Sequence, residues 1–527
     1  MSRAVVKRLW QLNPSDEALK DLMARLEAAI NIGLNEHTHS DAAVKCYPTY
    51  VQDFPEGDET GKFLGLDIGG SKFRVLMISC TRDGCETHSE IYPISQSLLD
   101  GPGVVFFDYV AQCLADFVKK QDVERETLDL GLTFGFPVNQ TGLAEGVLVT
   151  WTKGFNCECV EGKDVVAMLR EALSRQKIMN INIVALSNDT TGCLMSCAYE
   201  HPDCKIGVIL GTGFNACYVE ESDKVPIFNN VNKKPFVIVN TEWGDFGKGG
   251  SLDFLLTEFD WTIDDTSSSR FSFIYEKLVA GFFMGELVRV IMAKLTQEGL
   301  ILNGKGSKQL SKEGIITLQD IFAVESSAKG DLSTCRNLLY NRLGLPHATA
   351  QDCIDMHYIC TLVSMRSAHL ASAGVACLIS RTNFNPITVG LDGSLYRHHP
   401  FYSHWMMAKV PALLDASRKV NLVLAHDGSG RGAAFVSAAF VREEERQRQR
   451  EIEEALERAR QKIEEERLRQ EEIERRRALG ETMEEDDSSS VTCSDSDSDS
   501  CTESSTYHAY NNNCNKTLKK LFEFRRK

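Results

Sequence analysis

The chain has 527 residues, 43% hydrophobic and 25% charged, so it can bury large cores and is not a wholly disordered protein. Its 74 acidic residues outnumber its 58 basic ones, and the resulting net charge of −16 argues against a nucleic-acid-binding protein. No uninterrupted apolar run reaches the roughly 18 residues of a membrane-spanning helix, and Pro14 precedes any signal-peptide core, so the 17 cysteines are expected to be reduced thiols.

Segments with helical and strand-like patterns alternate along the first 440 residues and predict an α/β protein. The helical period predicts helices at 19–30, 164–173 and 285–295, and short β-rich apolar runs predict strands at 63–66, 206–210, 387–391 and 420–424. The predicted organisation is an N-terminal helical part that packs on the large lobe (1–60), a small lobe (61–194), a large lobe whose last helix returns to the small lobe (195–440), a charged helix (441–480) and a disordered tail (481–527).

Two segments share one design, a strand followed by a glycine turn and a second strand. The first spans 63–77 and the second 205–219, about 140 residues later. Glycines in such hairpin turns free backbone N–H groups to face an anion. The repeat predicts a duplicated two-lobed fold with phosphates held in the cleft, and two unrelated hairpins are the alternative.

Two later glycine turns strengthen the prediction of a phosphate site. Residues 390–394 follow an apolar strand, and residues 427–432 follow another and open an Ala-rich helical stretch. A glycine turn at a helix N-terminus is a favourable anion site. Neither turn has the spacing of a Walker or a Rossmann motif.

Polar side chains cluster in otherwise apolar contexts at 132–137, 150–155, 185–191 and 240–247. Asn, Asp, Glu, Thr and Lys side chains that converge on a cleft can hydrogen-bond a polyol, while aromatic side chains form its walls. Taken singly, the same residues are equally compatible with turns, helix caps or solvated carboxylates.

Several long motifs, taken together and in order, resemble the eukaryotic hexokinase and glucokinase family over about residues 5–442. The motifs are L-D-I-G-G-S-K-F-R-V, T-W-T-K-G-F, N-D-T, G-T-G-F-N-A-C-Y, E-W-G-D-F-G, G-E-L-V-R, V-G-L-D-G-S-L-Y and D-G-S-G-R-G-A-A. The resemblance implies an actin-like, ribonuclease-H-like ATPase fold with two α/β lobes around a cleft. It also implies an ATP-dependent kinase of a glucose-like hexose in the first step of glycolysis, cytoplasmic and dependent on Mg²⁺.

The resemblance also assigns roles to residues. Asp189 matches the catalytic base, and Lys153 matches a cation that offsets charge on the transferred group. The implied sugar-binding residues are Thr152, Lys153, Asn188, Asp189, Asn215, Glu242 and Glu276. The implied ATP-binding residues are Asp67, Gly69, Gly70, Ser71, Lys72, Arg74, Gly211, Thr212, Gly213, Asp392, Gly393, Ser394, Gly428 and Ser429. No protein ligand set for a metal is predicted, because Mg²⁺ on ATP keeps mostly water ligands.

Four positions depart from the usual family pattern. Gly135 replaces a Ser, Lys72 replaces an Asn, and Phe214 replaces a Ser or Thr between a phosphate turn and Asn215. Ser71 replaces a Thr and keeps the hydroxyl group. If Gly135 and Phe214 weaken the site, restoring Ser at both positions should raise sugar affinity. A catalytically weakened or inactive sugar-binding or regulatory protein is therefore the alternative function. A structural protein built around the charged helix is a third possibility.

The C-terminal tail has a different character. Residues 442–479 carry 12 basic and 13 acidic side chains, many of them spaced as acid–base pairs four residues apart, which favours a single solvated helix over a coiled coil. Residues 481–505 carry nine acids and no bases, which predicts disorder, and six bases lie in 516–527. The tail is expected to bind a protein partner or an acidic surface, or to act on localisation, without a role in the chemistry.

Overall fold

The structure, a computed structural model, describes residues 1–480 apart from Ser71, Lys153, Val231, Asn232 and His426. The predicted roles of Ser71 and Lys153, and the predicted disorder and basic end of 481–527, therefore lie outside the described residues. The contacts divide the chain into a body, Met1–Gln449, and a second unit, Arg450–Lys527. In its described part, the second unit is helical as far as Ala478.

The body is built from helices and strands in the alternation that the sequence predicts. The α-helices are α1 (Arg3–Arg8), α2 (Asp16–Leu34), α3 (Gln96–Leu99), α4 (Gly103–Lys120), α5 (Val165–Arg175), α6 (Asp189–Glu200), α7 (Glu258–Thr266), α8 (Ile274–Val279), α9 (Gly281–Gln297), α10 (Leu318–Glu325), α11 (Ser333–Asn337), α12 (Ala350–Arg381), α13 (Ser394–His398), α14 (Tyr402–Leu413) and α15 (Gly428–Ala478). The strands are β1 (Tyr47–Pro48), β2 (Gly61–Ile68), β3 (Lys72–Thr81), β4 (Gly84–Pro93), β5 (Leu128–Phe134), β6 (Val138–Gly142), β7 (Glu145–Leu148), β8 (Ile181–Ser187), β9 (Cys204–Leu210), β10 (Phe214–Glu221), β11 (Phe236–Asn240), β12 (Ile387–Asp392) and β13 (Val420–Leu424).

Two sheets of the same topology confirm the predicted duplication. The small-lobe sheet has the order β4-β3-β2-β5-β8, and the large-lobe sheet has the order β11-β10-β9-β12-β13 with β1 added at its edge. In each sheet three strands form an antiparallel meander and two further strands continue it in parallel. The carboxyl ends of β2 and β9 lead into the predicted glycine turns, so both turns arise at equivalent places in the two lobes.

Helices α6 and α15 pack together between the two sheets, and glycines make this packing possible. A β-carbon on Gly432 of α15 would lie 1.9 Å from the carbonyl oxygen of Gly192 of α6. A β-carbon on Gly131 of β5 would lie 1.9 Å from the carbonyl oxygen of Ala433. Because no side chain larger than hydrogen fits these contacts, the backbones meet directly. The core around them contains apolar residues of both lobes.

The charged part of α15 begins inside the body and contacts the connector, residues 51–60, which leads from β1 to β2. Arg442 donates to the backbone oxygen of Phe54 (2.8 Å) and pairs with the buried carboxylate of Glu59. Arg446 pairs with Glu56 and Asp58, each at 3.0 Å. The charge pattern predicts a single solvated helix, and these ion pairs show that the first two turns of the charged segment instead contact the body.

The longest helix within the body, α12, lies in the large-lobe core. An 18-residue window of α12 has a mean hydropathy of 1.4, so by length and composition alone this helix could cross a membrane. However, 89% of that window is buried inside the protein. Burial of this extent is typical of a core helix.

The cysteines depart in one respect from the expectation of reduced thiols. Cys80 and Cys85 lie directly opposite each other in the β3–β4 hairpin and are joined by a disulfide. The expectation of reduced thiols is wrong for this pair, because the turn between the two cysteines brings them opposite each other on paired strands. Twelve other cysteines in the described part of the chain are free, and all of these but Cys159 are buried.

Candidate active site

The glycine turn between β2 and β3 lies in a cleft of about 370 Å³. The lining residues are Asp67, Gly69, Gly70, Lys72, Phe73, Arg74, Ile91, Gly135, Asp189 and Ser429. A β-carbon on Gly70 would meet nothing within 4 Å, so the backbone of this turn is open to a ligand. The cleft therefore joins the predicted first phosphate loop, the predicted base and the start of α15.

Asp189 occupies the first position of α6, directly after strand β8. Asn188 caps the helix, because its side-chain oxygen accepts a hydrogen bond from the backbone N–H of Thr191 at 3.0 Å. The positive end of the helix dipole favours a negative charge at this position. The Nδ2 group of Asn188 is buried and has no protein hydrogen-bond partner, so it is available to a ligand oxygen.

The start of α6 also lies on the large-lobe sheet, next to the strand that carries Asn215. The carbonyl oxygen of Thr190 lies 2.3 Å from where a β-carbon on Gly207 of β9 would be, and Gly207 pairs with Cys217 of β10. Asn215 is two residues before Cys217, on the same strand. The base and the predicted sugar-binding residues of the large lobe thus belong to neighbouring elements.

Asn215, Asn240 and Glu242 form a closed hydrogen-bond network. The Nδ2 group of Asn215 donates to Oδ1 of Asn240 (2.9 Å) and to Oε1 of Glu242 (3.0 Å), and the Nδ2 group of Asn240 donates to the same carboxylate oxygen at 2.8 Å. Asn240 therefore fixes the orientation of two predicted sugar ligands. Asn240 belongs to the polar cluster 240–247 but was not predicted as a site residue. The feature of the sequence that indicates its role is an amide side chain two residues before Glu242.

Glu276 connects the sugar-binding residues to the second glycine turn. Its Oε2 atom accepts a hydrogen bond from the backbone N–H of Phe214 at 3.2 Å. It also lies 3.4 Å from where a β-carbon on Gly213 would be. The carboxylate of Glu276 thus lies next to the turn 211–213. A predicted sugar-binding residue and the second predicted phosphate turn are therefore neighbours.

The Phe214 side chain does not enter the cleft. It is only 1% exposed, and its ring centroid lies 4.8 Å from that of Trp243 and 5.0 Å from that of Tyr275. Because side chains alternate along a strand, Phe214 points into the core of the large lobe while Asn215 points to the opposite face. The Phe214 ring therefore packs in the core behind Asn215 and does not occupy the sugar-binding face of the strand.

The third glycine turn (390–394) and the fourth (427–432) join the same site through their backbones. A β-carbon on Gly211 would lie 3.3 Å from the backbone nitrogen of Ser394, so turns two and three are adjacent. Asp392 accepts hydrogen bonds from the backbone N–H of Gly393 (2.7 Å) and Gly428 (3.1 Å). Ser429 then donates to Oδ2 of Asp67 at 2.6 Å, which closes the connection to the first turn.

Two arginine side chains hold these turns in place through hydrogen bonds and an ion pair. Arg397 donates both to Oδ1 of Asp392 (2.6 Å) and to the carbonyl oxygen of Ala425 (3.0 Å). Arg74 forms an ion pair with Asp427. Asp392 and Arg74, predicted to bind nucleotide, thus also hold the turns in place. Arg397 was not predicted, although it lies three residues after the third turn.

Thr152 lies on an exposed loop that an aromatic cluster anchors to the small lobe. Trp151 stacks on Phe155 at 5.1 Å and lies edge-on to Phe136 at 4.8 Å. The indole N–H of Trp151 donates to the carbonyl oxygen of Cys157 at 3.0 Å. Thr152 does not line the cleft described above, and Thr212 and Ser394 are likewise exposed on their turns.

Two thiols lie directly behind the site. Burial raises the pKa of Cys217 to about 12, against the opposing effect of hydrogen bonds to Thr190 and Thr191. Burial, with the nearby charge of Asp392, also raises the pKa of Cys193 well above its usual value. Both groups are therefore neutral thiols at physiological pH and pack as small apolar side chains.

Comparison with known proteins identifies the family. Two sequence profiles, both described as Hexokinase, match residues 4–199 and 205–439. The chain belongs to the hexokinase family. Human hexokinase HKDC1 is 41% identical over 456 residues, which are 85% of this chain and 49% of that protein. Human hexokinase-2 is 40% identical over 456 residues, which are 84% of this chain and 49% of that protein.

The chain therefore spans about half the length of these curated relatives. Solved hexokinases match it over nearly their whole length. A hexokinase from Schistosoma mansoni, solved in complex with glucose, is 37% identical with a TM-score of 0.76, over 82% of this chain and 98% of that chain. Another hexokinase crystal structure is 29% identical with a TM-score of 0.73, over 83% of this chain and 98% of that chain. The expected two-lobed, actin-like ATPase fold is confirmed.

Proposed function

We propose that this member of the hexokinase family is an ATP-dependent hexose kinase, which transfers the γ-phosphoryl group of ATP to the 6-hydroxyl of a glucose-like hexose in the cytoplasm, as the first step of glycolysis. The main support is that Asp189 lines the same cleft as the glycine turn 69–70 and Ser429. A carboxylate base, an open backbone turn and a second glycine turn at a helix N-terminus are the groups that phosphoryl transfer to an alcohol needs. The S. mansoni relative is complexed with glucose, which supports this class of sugar.

In this proposal side chains of the large lobe bind the sugar together with Asn188, which caps α6. The carboxylates of Glu242 and Glu276 accept hydrogen bonds from sugar hydroxyls, and Asn215 and the free Nδ2 group of Asn188 donate to sugar oxygens. The network through Asn240 holds the acceptor groups in fixed positions before the sugar arrives. Such preorganisation lowers the entropic cost of aligning the 6-hydroxyl for attack.

The chemical step is a displacement at phosphorus. The 6-oxygen forms a bond to the γ-phosphorus, the bond from that phosphorus to the oxygen of ADP breaks, and the hydroxyl proton passes to the carboxylate of Asp189. The backbone N–H groups of the glycine turns hold the phosphate oxygens, and Lys72 and Arg74 on the cleft wall offset their charge. Lys153 is proposed to act on the transferred group by its match to the family motif.

The residues present fit Mg²⁺ carried on ATP. The cleft offers the carboxylates of Asp67 and Asp189, and the described residues contain no cluster of three or more side chains with metal-ligating groups. Mg²⁺ generally keeps several water ligands and uses one or two carboxylates together with substrate phosphates. When bound, the ion would neutralise charge on the phosphates, and Asp67 would hold it directly or through water, which would leave the carboxylate of Asp189 to accept the proton.

The test compares the full-length protein with Asp189→Asn in a coupled assay of ATP-dependent phosphorylation of glucose, mannose and fructose. Removing a general base should lower kcat by about 10²- to 10⁴-fold while leaving glucose binding measurable by calorimetry. Asp83→Asn, at the exposed β3–β4 turn, is the matched control and should behave like the wild type. Near-normal turnover in Asp189→Asn would show that the base is wrongly assigned. Sugar binding without turnover in the wild type would favour the weakened, regulatory alternative.

The C-terminal unit is proposed to act in association or localisation. In the described part of α15 beyond the body, charged side chains pair within the helix, as Arg467 does with Glu464 and Glu471. A helix satisfied by its own pairs keeps a polar surface exposed. The basic residues at 516–527 are proposed to bind an acidic partner surface.

A further inference from the structure

Phe273 is an exposed aromatic residue in an unusual backbone conformation. It directly precedes α8 with φ 54° and ψ 37°, and 46% of the residue is exposed. Bulky residues rarely adopt the left-handed region, and such strain persists only where the surroundings enforce it. The conformation therefore requires a structural cause.

Hydrogen bonds on both sides impose this conformation. The backbone N–H of Phe273 donates to Oδ1 of Asp245 at 2.7 Å, and its carbonyl oxygen accepts from the backbone N–H of Lys277 at 2.9 Å. Lys277 is itself fixed by a buried ion pair with Asp264 at 2.7 Å. The loop before α8 is thus held at both ends, and the position of the Phe273 ring is set with it.

The ring edge of Phe273 lies beside Gly244, which follows Glu242 by two residues. A β-carbon on Gly244 would lie 3.6 Å from Cδ1 of Phe273 and 3.3 Å from Oε2 of Glu276. The apolar ring edge and the Glu276 carboxylate are therefore both within van der Waals reach of Gly244, close to the loop that carries Glu242. An apolar surface beside a few fixed polar groups is the usual composition of a small-molecule site.

We propose that Phe273 is the apolar wall of the hexose-binding site and that its ring sets sugar affinity by packing on the C–H groups of the bound pyranose. The inference rests on the proposed function, because it assigns a contact within that same site. A hexopyranose presents hydroxyl groups at its rim and C–H groups on its faces. Glu242 and Glu276 accept hydrogen bonds from the rim, whereas the Phe273 ring removes C–H surface from water.

Phe271 provides a matched control two residues away. It also has a positive φ, 59°, and 54% of it is exposed. Its backbone N–H likewise binds a carboxylate, that of Asp264, at 3.0 Å. Its ring, however, lies under the guanidinium of Arg270, whose Cζ is 4.6 Å from the ring centroid. The two residues therefore share conformation, exposure and residue type, and differ in what the ring contacts.

The experiment uses the full-length protein and three variants, Phe273→Asn, Phe271→Asn and Phe273→Tyr. Asn tolerates the left-handed conformation, so both Asn variants should keep the loop. Glucose affinity is measured by calorimetry, and KM and kcat for glucose and ATP by the coupled assay. Phe273→Asn should raise Kd and KM for glucose about five- to tenfold, with kcat and the KM for ATP within about twofold of the wild type. Phe271→Asn and Phe273→Tyr should match the wild type.

Two results would overturn the inference while leaving the proposed function intact. One is unchanged glucose affinity in Phe273→Asn, and the other is an equal loss in Phe271→Asn, which would show that the loop acts only structurally. A wild-type protein that binds no hexose would instead overturn the proposed function itself. Failure of Phe273→Tyr to retain affinity would also contradict an apolar wall, because that variant keeps the ring.

Discussion

Phe214→Ser restores the hydroxyl residue that the family pattern would place before Asn215, and the structure predicts that it harms the protein. The Phe214 ring is 1% exposed and packs against Trp243 and Tyr275. Truncating a buried Phe costs about 3–5 kcal/mol, and a buried hydroxyl without a partner adds about 1 kcal/mol or more. We expect a loss of about 4–6 kcal/mol, which lowers the melting temperature by about 10 °C for a lobe of this size.

The same substitution should weaken sugar binding, because Trp243 directly follows Glu242 and Tyr275 directly precedes Glu276 in the chain. Thermal unfolding followed by circular dichroism, and the KM for glucose, are the two measurements. Phe282→Ser on α9 is the control, because Phe282 is 69% exposed and its loss should cost less than about 1 kcal/mol. A Phe214→Ser protein with wild-type melting temperature and improved glucose affinity would refute the reasoning and support the sequence-based expectation.

Three further predictions concern the helices around the site. Gly432→Ala should lower the melting temperature and kcat, because a β-carbon there would lie 1.9 Å from the carbonyl oxygen of Gly192. A variant with unchanged melting temperature and kcat would show that α6 and α15 can move apart without cost, against this reasoning. Truncation after residue 449 should leave turnover within about twofold, whereas truncation after residue 441 removes both arginines that bind the connector and should lower the melting temperature. Burial and the nearby Lys409 lower the pKa of His369 to about 4, so its contribution to stability is present above pH ~6.5 and is lost as pH falls toward 4. Replacing His369 with Leu should flatten the dependence of melting temperature on pH in that window.

Local pattern predicted the elements of this fold well, because the pattern and the packing agree. The strand predicted at 420–424 is β13, and the helix predicted at 164–173 matches α5 except for its first residue, Asp164, which is the N-cap. The duplicated strand–turn–strand design predicted two equivalent lobes, which the sheet topology confirms. Glycine turns are visible in the sequence because the backbone conformation itself selects the residue type.

Contacts between distant segments were not predictable in this way. Phe214 was expected to weaken the site, because a sequence shows neighbours along the chain and does not show which face of a strand a side chain occupies. Asn240 and Phe273 act through contacts that only folding creates; Asn240 lies in the polar cluster 240–247 with no role of its own assigned, and Phe273 lies in none of the motifs. The Cys80–Cys85 disulfide depends on a hairpin register that cysteine counting ignores.

The four glycine turns form one continuous structure, and this explains why the site depends on α15. Ser429 at the start of α15 binds Asp67 of the small lobe, while the adjacent Gly428 binds Asp392 of the large lobe. Any rotation of one lobe against the other must therefore move or break one of these hydrogen bonds. The same helix reaches the connector between the lobes through Arg442. A single helix thus joins the phosphate-binding turns at one end to the lobe connection further along, so the relative position of the four turns depends on how α15 is held between the lobes.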